Sequence, residues 1–160
     1  MTLEETLGAA LRDRNLTLAT AESCTGGLIA HRLTNVSGSS AYFLGGVVSY
    51  SNDAKQRLLG VPLATLVAYG AVSEPTARAM AQGARAAFHA DLALAVTGIA
   101  GPGGGTPDKP VGLTYIALAA PDGEWVERHV WPGDRAAIKA QSAEAALSLA
   151  ARYVRGELPP

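Results

Sequence analysis

Leu3, Leu7, Ala10 and Leu11 recur at the spacing of one helical face, and Thr2 with Glu5 makes a capping box in front of them. A helix is therefore expected to open the chain. The pattern then shortens to "LTLATA" (Leu16 to Ala21), which reads as a strand. Beyond the polar-glycine run Ser23–Gly27, "LIAHRLTNV" reads as a short helix closed by the turn "SGSS". Tyr42 to Ser51 is a second strand, weakened by its paired glycines. "NDAKQRLLG" starts on an Asn suited to N-capping and stops on a Gly suited to a C-cap, so it predicts a short helix. "SEPTARAMAQGARAAFHA" predicts a longer one, with Ser73 as N-cap and Pro75 in the first turn.

In "DLALAVTG" nearly every position after Asp91 is apolar, as in a strand buried on both faces. A glycine-proline loop, Gly98 to Pro110, follows. "VGLTYIALAA", the turn "PDG" and "EWVERHVW" then read as an antiparallel hairpin. Asp134 can cap a last helix over 135–155, with Ile138, Ala145, Leu149 and Tyr153 among its apolar positions. Strands alternating with helices predict an α/β fold with its sheet covered on both faces, and the hairpin makes that sheet mixed.

Composition narrows the partners more than the fold. At 160 residues one domain, 1–160, is expected. Thirteen basic against fourteen acidic residues, with no basic block, exclude a footprint for nucleic acid but leave room for a local phosphate site. One cysteine rules out an internal disulfide and a cysteine-based zinc site, and His31, His89 and His129 are scattered singly, so no metal is expected. No run reaches the roughly 20 apolar residues of a membrane span. The N-terminus has no signal-peptide pattern, which makes a cytoplasmic location the expectation.

Three polar-glycine clusters fall where strands end: Ala21–Gly27, Ser49–Lys55 and Thr97–Gly112. Ligands of open α/β sheets bind at the carboxyl ends of strands, so the three can converge on one site. Ser23 stands between a strand and a helix whose first turn is expected to hold Thr25, Gly26 and Gly27. The free N–H groups there suit a phosphate or an oxyanion, although the pattern alone favours Ser23 or Thr25 as a plain helix cap. The G-x-S-x-G elbow is not matched. Cys24 is a rival nucleophile, though a lone cysteine is usually a small buried hydrophobe. Lys55, a few residues into a short helix, can reach the same rim and serve Ser23 as base, provided that its amine is neutral; otherwise it is a solvated surface lysine, as most are. Tyr50 can hold Lys55 or relay a proton; otherwise it is a packed strand residue. In the loop, Thr97, Gly98 and Gly101 offer a hydroxyl and backbone amides to an anion. Arg135 opens the last helix against the helix dipole, which suits a grip on a phosphate, or pairing with Asp134 or Glu144.

The set "AESCTGG", "VSGSSAYFLGGVVSYSNDAK", "GAVSEPTA", "VTGIAGPGGGTPDKPVG" and "PGDR", in this order over nearly the whole chain, resembles the CinA C-terminal domain family, which contains the nicotinamide mononucleotide amidohydrolases. The resemblance implies a three-layer α/β/α sandwich on a mixed, mostly parallel sheet. It implies hydrolysis of the carboxamide of nicotinamide mononucleotide to nicotinic acid mononucleotide and ammonia, without cofactor or metal. Ser23 is then the nucleophile, Lys55 the base and Tyr50 a supporting group. Thr25, Gly26, Gly27, Thr97, Gly98 and Gly101 line the substrate, and Arg135 takes its phosphate. N–H groups near Ser23, Thr25 and Gly26 face the oxyanion, and Cys24 becomes a packing residue. The alternative is a non-catalytic nucleotide- or phosphate-binding module of the same fold. The apolar helices suit a homo-oligomer, a dimer foremost.

Overall fold

Residues 1–160 are described in a computed structural model. In chain order the elements are α1 (Leu3–Asp13), β1 (Leu18–Glu22), α2 (Leu28–Thr34), β2 (Phe43–Val48), α3 (Asn52–Leu59), α4 (Leu63–Tyr69), α5 (Glu74–Phe88), β3 (Leu92–Gly98), β4 (Leu113–Ala120), β5 (Gly123–Val130) and α6 (Arg135–Val154). The five strands form one sheet in the order β2-β1-β3-β4-β5. β1 is parallel to both β2 and β3, whereas β4 is antiparallel to β3 and to β5. Four strands therefore run one way and only β4 runs against them.

Helices cover both faces. α1, α2 and α6 lie on one, and α5, backed by α3 and α4, lies on the other. This is a three-layer α/β/α sandwich. Residue size along the central strands tells the faces apart. Leu92, Leu94 and Val96 of β3, with Ile116 and Leu118 of β4, join the core under α1, α2 and α6. The intervening Ala93, Ala95, Ala117 and Ala119 join the core under α5. Successive side chains of a strand alternate between faces, so the Leu/Ala alternation gives α5 a shallow bed and α6 a deep one.

Two close approaches depend on glycine. On α5, a methyl at Gly83 would fall inside the van der Waals envelope of the Leu59 carbonyl at the end of α3. Gly83→Ala is accordingly expected to destabilise the protein by about 1–3 kcal/mol, as overpacking does, and to lower the denaturant midpoint. On β2, Gly45 leaves room for the Phe88 ring of α5 and Gly46 for the Thr20 side chain of β1. The glycine pair that reads as a weak strand is thus where neighbours on either side press closest.

Boundaries differ from the sequence expectation in instructive ways. β1 starts two residues later and ends one later, taking in Glu22, which pairs with Val48 and Val96. β2 stops at Val48, so Tyr50 lies in the loop beyond it and is neither in a strand nor in the core. Ser51, not Asn52, caps α3, through its Oγ to the Ala54 amide at 3.0 Å. α4 is an additional helix of seven residues without a side-chain cap or any charge. No helix is long and apolar enough to cross a membrane.

β1 feeds α2 on one face of the sheet, and β2 returns through α3–α5 on the other before β3 forms on the far side of β1. The crossovers diverge at the carboxyl end of β1. That end is a topological switch point, where α/β sheets open a crevice.

Candidate active site

Ser23 is the first residue beyond β1, at that switch point. Its amide donates to Val96 O of β3 at 3.0 Å, and on the other side Ser49 N donates to Glu22 O at 2.8 Å. The three parallel strands are thereby tied together one step past their ends. Lys55 comes up from α3 with only 1% of its surface exposed. Its Nζ donates to Ser23 Oγ at 3.0 Å, to Ser49 O at 2.7 Å and to Tyr50 O at 3.5 Å. No carboxylate is within ion-pairing distance of Lys55. Burial therefore pulls its pKa below the ordinary lysine value, against a smaller upward pull from Cys24. In the neutral form the 3.0 Å contact reverses, and the Ser23 hydroxyl donates to the amine.

A cavity of about 210 Å³ opens over this pair, lined among others by Ser23, Cys24, Tyr50, Asn52, Lys55 and Arg135. Larger surface hollows, of about 660 Å³ beside α5 and 730 Å³ beside Trp125, contain no comparable nucleophile–base pair. Chemistry, not size, singles out the smaller one.

The turn after Ser23 corrects one expectation. α2 begins at Leu28, not at Thr25, and its N-terminus is filled by the Glu22 carboxylate. Glu22 Oε1 accepts from Thr25 Oγ1 (2.7 Å), Gly27 N (3.2 Å) and Ile29 N (2.9 Å), and Oε2 from Ala30 N (3.0 Å). Gly26 N donates to Ser23 O at 3.1 Å. The Thr25 hydroxyl and the Gly26 and Gly27 amides are thus already engaged within the protein, and none of the three residues lines the cavity. An anion cannot bind where a carboxylate already sits. Ser23 N, bonded to Val96, is likewise unavailable to an oxyanion. The amides of Cys24 and Thr25 donate to no carbonyl or carboxylate.

On the loop side, Thr97 and Gly98 line the cavity, but the Thr97 hydroxyl donates to Ala71 O at 2.8 Å and so offers no proton to a ligand. Gly101 contributes its carbonyl, not an amide: it accepts from Arg135 Nη1 at 2.8 Å. Arg135 Nη2 donates to the Tyr50 hydroxyl at 3.0 Å. Neither Asp134 nor Glu144 pairs with Arg135, because Asp134 caps α6 and Glu144 bridges to Arg32. A guanidinium without a carboxylate therefore stands at the cavity mouth, steadied by a tyrosine and a carbonyl.

Lys139, one turn further along α6, likewise has no carboxylate partner, and its Nζ lies beside Gly26. Nothing in the sequence pattern singled it out, although its four-residue spacing from Arg135 puts both cations on one helix face. Cys24 is buried against Gly98, and burial pushes its thiol up to about 11, which leaves little thiolate at neutral pH.

The family model of the CinA C-terminal domain matches residues 1–154. The chain belongs to that family. A CinA-like protein of Geobacter sulfurreducens is 57% identical over 91% of this chain and 35% of its own length. Another CinA-like protein, from Syntrophus aciditrophicus, is 55% identical over 99% of this chain and 38% of its own length. The chain thus spans little more than a third of the curated relatives it matches. Among solved structures, competence damage-inducible protein A (ComA) of Klebsiella pneumoniae superposes with a TM-score of 0.93 at 35% identity, over 96% of this chain and 95% of that one. Competence/damage inducible protein CihA of Agrobacterium tumefaciens gives 0.89 at 44% identity, covering 92% of each chain. The α/β fold described above thus matches that of solved CinA structures.

Proposed function

We propose that this chain is an amidohydrolase that converts nicotinamide mononucleotide to nicotinic acid mononucleotide and ammonia, with Ser23 as nucleophile and Lys55 as base. The observation that carries the reading is the 3.0 Å contact between Ser23 Oγ and a buried lysine that has no counter-ion. Lysines are seldom buried without a partner, and a depressed pKa is what general-base work requires of one. The choice of substrate rests on the family resemblance, and an unpaired arginine at the mouth of a small cavity supports it.

Neutral Lys55 takes the Ser23 proton while Oγ attacks the carboxamide carbon. The oxyanion so formed is stabilised by the amide of Cys24, which lines the cavity and has no acceptor of its own, a donor of this kind being worth about 3–4 kcal/mol. Collapse of the tetrahedral intermediate breaks the C–N bond, and Lys55 returns its proton to the departing nitrogen as ammonia. A water molecule, deprotonated by Lys55, then attacks the acyl carbon; the bond to Ser23 Oγ breaks, Lys55 returns the proton to Oγ, and the acid is released. The sum is amide plus water to acid plus ammonia.

The phosphate sits at the cavity mouth against Arg135, and Tyr50 acts by holding the guanidinium. Arg135→Ala is expected to raise KM about 10–100-fold with a much smaller change in kcat, the size expected for one charged hydrogen-bonded contact. Loss of kcat at unchanged KM would instead move Arg135 to the reacting atoms. The reading as a whole is tested by ammonia release from a panel of pyridine amides with and without the ribose phosphate. Binding of the nucleotide without ammonia release would favour a non-catalytic nucleotide-binding module.

A further inference from the structure

We propose that Glu22 is a positioning residue, whose carboxylate holds the Ser23–Gly27 turn in its nucleophile-presenting form and closes the α2 N-terminus to substrate anions. The proposal rests on Ser23 being the nucleophile. Glu22 is 1% exposed and has no lysine or arginine partner. A buried carboxylate without a counter-ion is costly unless several donors satisfy it. Here four do: the Thr25 hydroxyl and the amides of Gly27, Ile29 and Ala30.

The same residue is fixed by its main chain. It pairs with Val48 and Val96 on the two flanking strands, and its carbonyl accepts from Ser49 N at 2.8 Å. Glu22 thus belongs to the rigid sheet through its backbone and to α2 through its side chain, and Ser23 is the first residue inside the loop that this clamp closes. Left-handed backbone at Gly26 (φ 60°) and Gly27 (φ 101°) lets the chain double back so that amides as far on as Ala30 reach one carboxylate. With that carboxylate holding the first amides of α2, the Cys24 and Thr25 amides stay outside the helix and without an acceptor. A substrate phosphate is then left with the Arg135 side of the cavity.

A fluorophosphonate probe reads this geometry without reference to the natural substrate. Ser23 Oγ forms the bond to phosphorus, fluoride leaves with the P–F electron pair, and the hydroxyl proton passes to Lys55. The rate of labelling at Ser23, followed by intact mass, is compared among wild type, Glu22→Gln, Thr25→Val and Leu33→Ala. Glu22→Gln sets an amide NH₂ against the N–H of Ala30 or of Ile29, depending on its orientation, and is expected to slow labelling about 100-fold, the cost of displacing a reacting group by roughly 1 Å. Thr25→Val removes one donor of the four and is expected to slow it by a smaller factor. Leu33→Ala thins the packing of α2 without touching the carboxylate; it should lower Tm and leave the labelling rate unchanged.

Labelling of Glu22→Gln at the wild-type rate overturns the proposal. So does equal slowing in Leu33→Ala, which would reduce the effect to lost stability. If Glu22→Gln fails to fold, Thr25→Val decides alone, and a wild-type rate there overturns the proposal. A wild-type protein inert to the probe removes the nucleophile reading itself, a result distinct from any of these.

Discussion

Ser23→Ala is expected to abolish ammonia release from nicotinamide mononucleotide, lowering kcat by about 10⁴-fold or more, while nucleotide binding measured by calorimetry stays near that of the wild type. The asymmetry follows from the geometry. Ser23 Oγ is the atom that Lys55 Nζ reaches at 3.0 Å, whereas the nucleotide phosphate is assigned to Arg135 on another element. The neighbouring thiol supplies an internal control. Cys24→Ala should keep most of its activity, because burial holds that thiol at about 11 and packs it against Gly98. A Ser23→Ala protein that still releases ammonia, beside a Cys24→Ala protein that does not, would transfer the nucleophile to the thiol. Full activity in both would remove the cavity from the chemistry altogether.

The architecture was legible because its signals are local. Capping at Thr2, Ser73 and Asp134, and the continuous apolar run of β3, each follow from a few adjacent residues, and the structure places an element at each. α4 escaped because seven residues without a cap or a charge carry no periodic signal; its place is set by packing against α5. For the site, the nearness of Ser23, Lys55 and Tyr50 could be argued from strand ends, whereas Arg135 came from its place against the dipole of the last helix and from the family resemblance. The turn after Ser23 could not, since a helix N-terminus looks the same in sequence whether a substrate or the protein's own carboxylate fills it. One signal was nevertheless present. An acid shortly ahead of a glycine-rich helix start can fold back to where the helix dipole favours negative charge, and Glu22, ahead of the Ser23–Gly27 turn, is that acid. Lys139 left no such trace, because its standing as an unpaired cation depends on where Glu144 and Asp134 turn in three dimensions.

Lys55→Met separates the catalytic role of the amine from its effect on the fold, and the two are expected to move in opposite directions. Activity should fall to the level of Ser23→Ala, since nothing else within reach of Oγ can take its proton. Stability at neutral pH should rise. The folded state depresses the Lys55 pKa below the ordinary lysine value of 10.5, so between the folded value and 10.5 the unfolded chain binds the proton more readily than the native one. Wild-type stability therefore increases with pH across that window, and the full destabilisation by the buried ammonium is present below it. Methionine has similar length and no charge to bury. Its gain is partly offset by the Ser49 carbonyl, which loses its 2.7 Å donor. A net gain on the order of 1 kcal/mol corresponds to a rise in Tm of about 2–4 °C for a chain of this size. The difference between the two proteins should shrink as pH approaches 10.5, and the same titration should govern the alkaline-rising limb of kcat/KM in the wild type. Thermal melts across pH 6–10 check both signs. A variant that is less stable at neutral pH, or whose advantage grows with pH, would mean that Lys55 is held charged and cannot serve as the base.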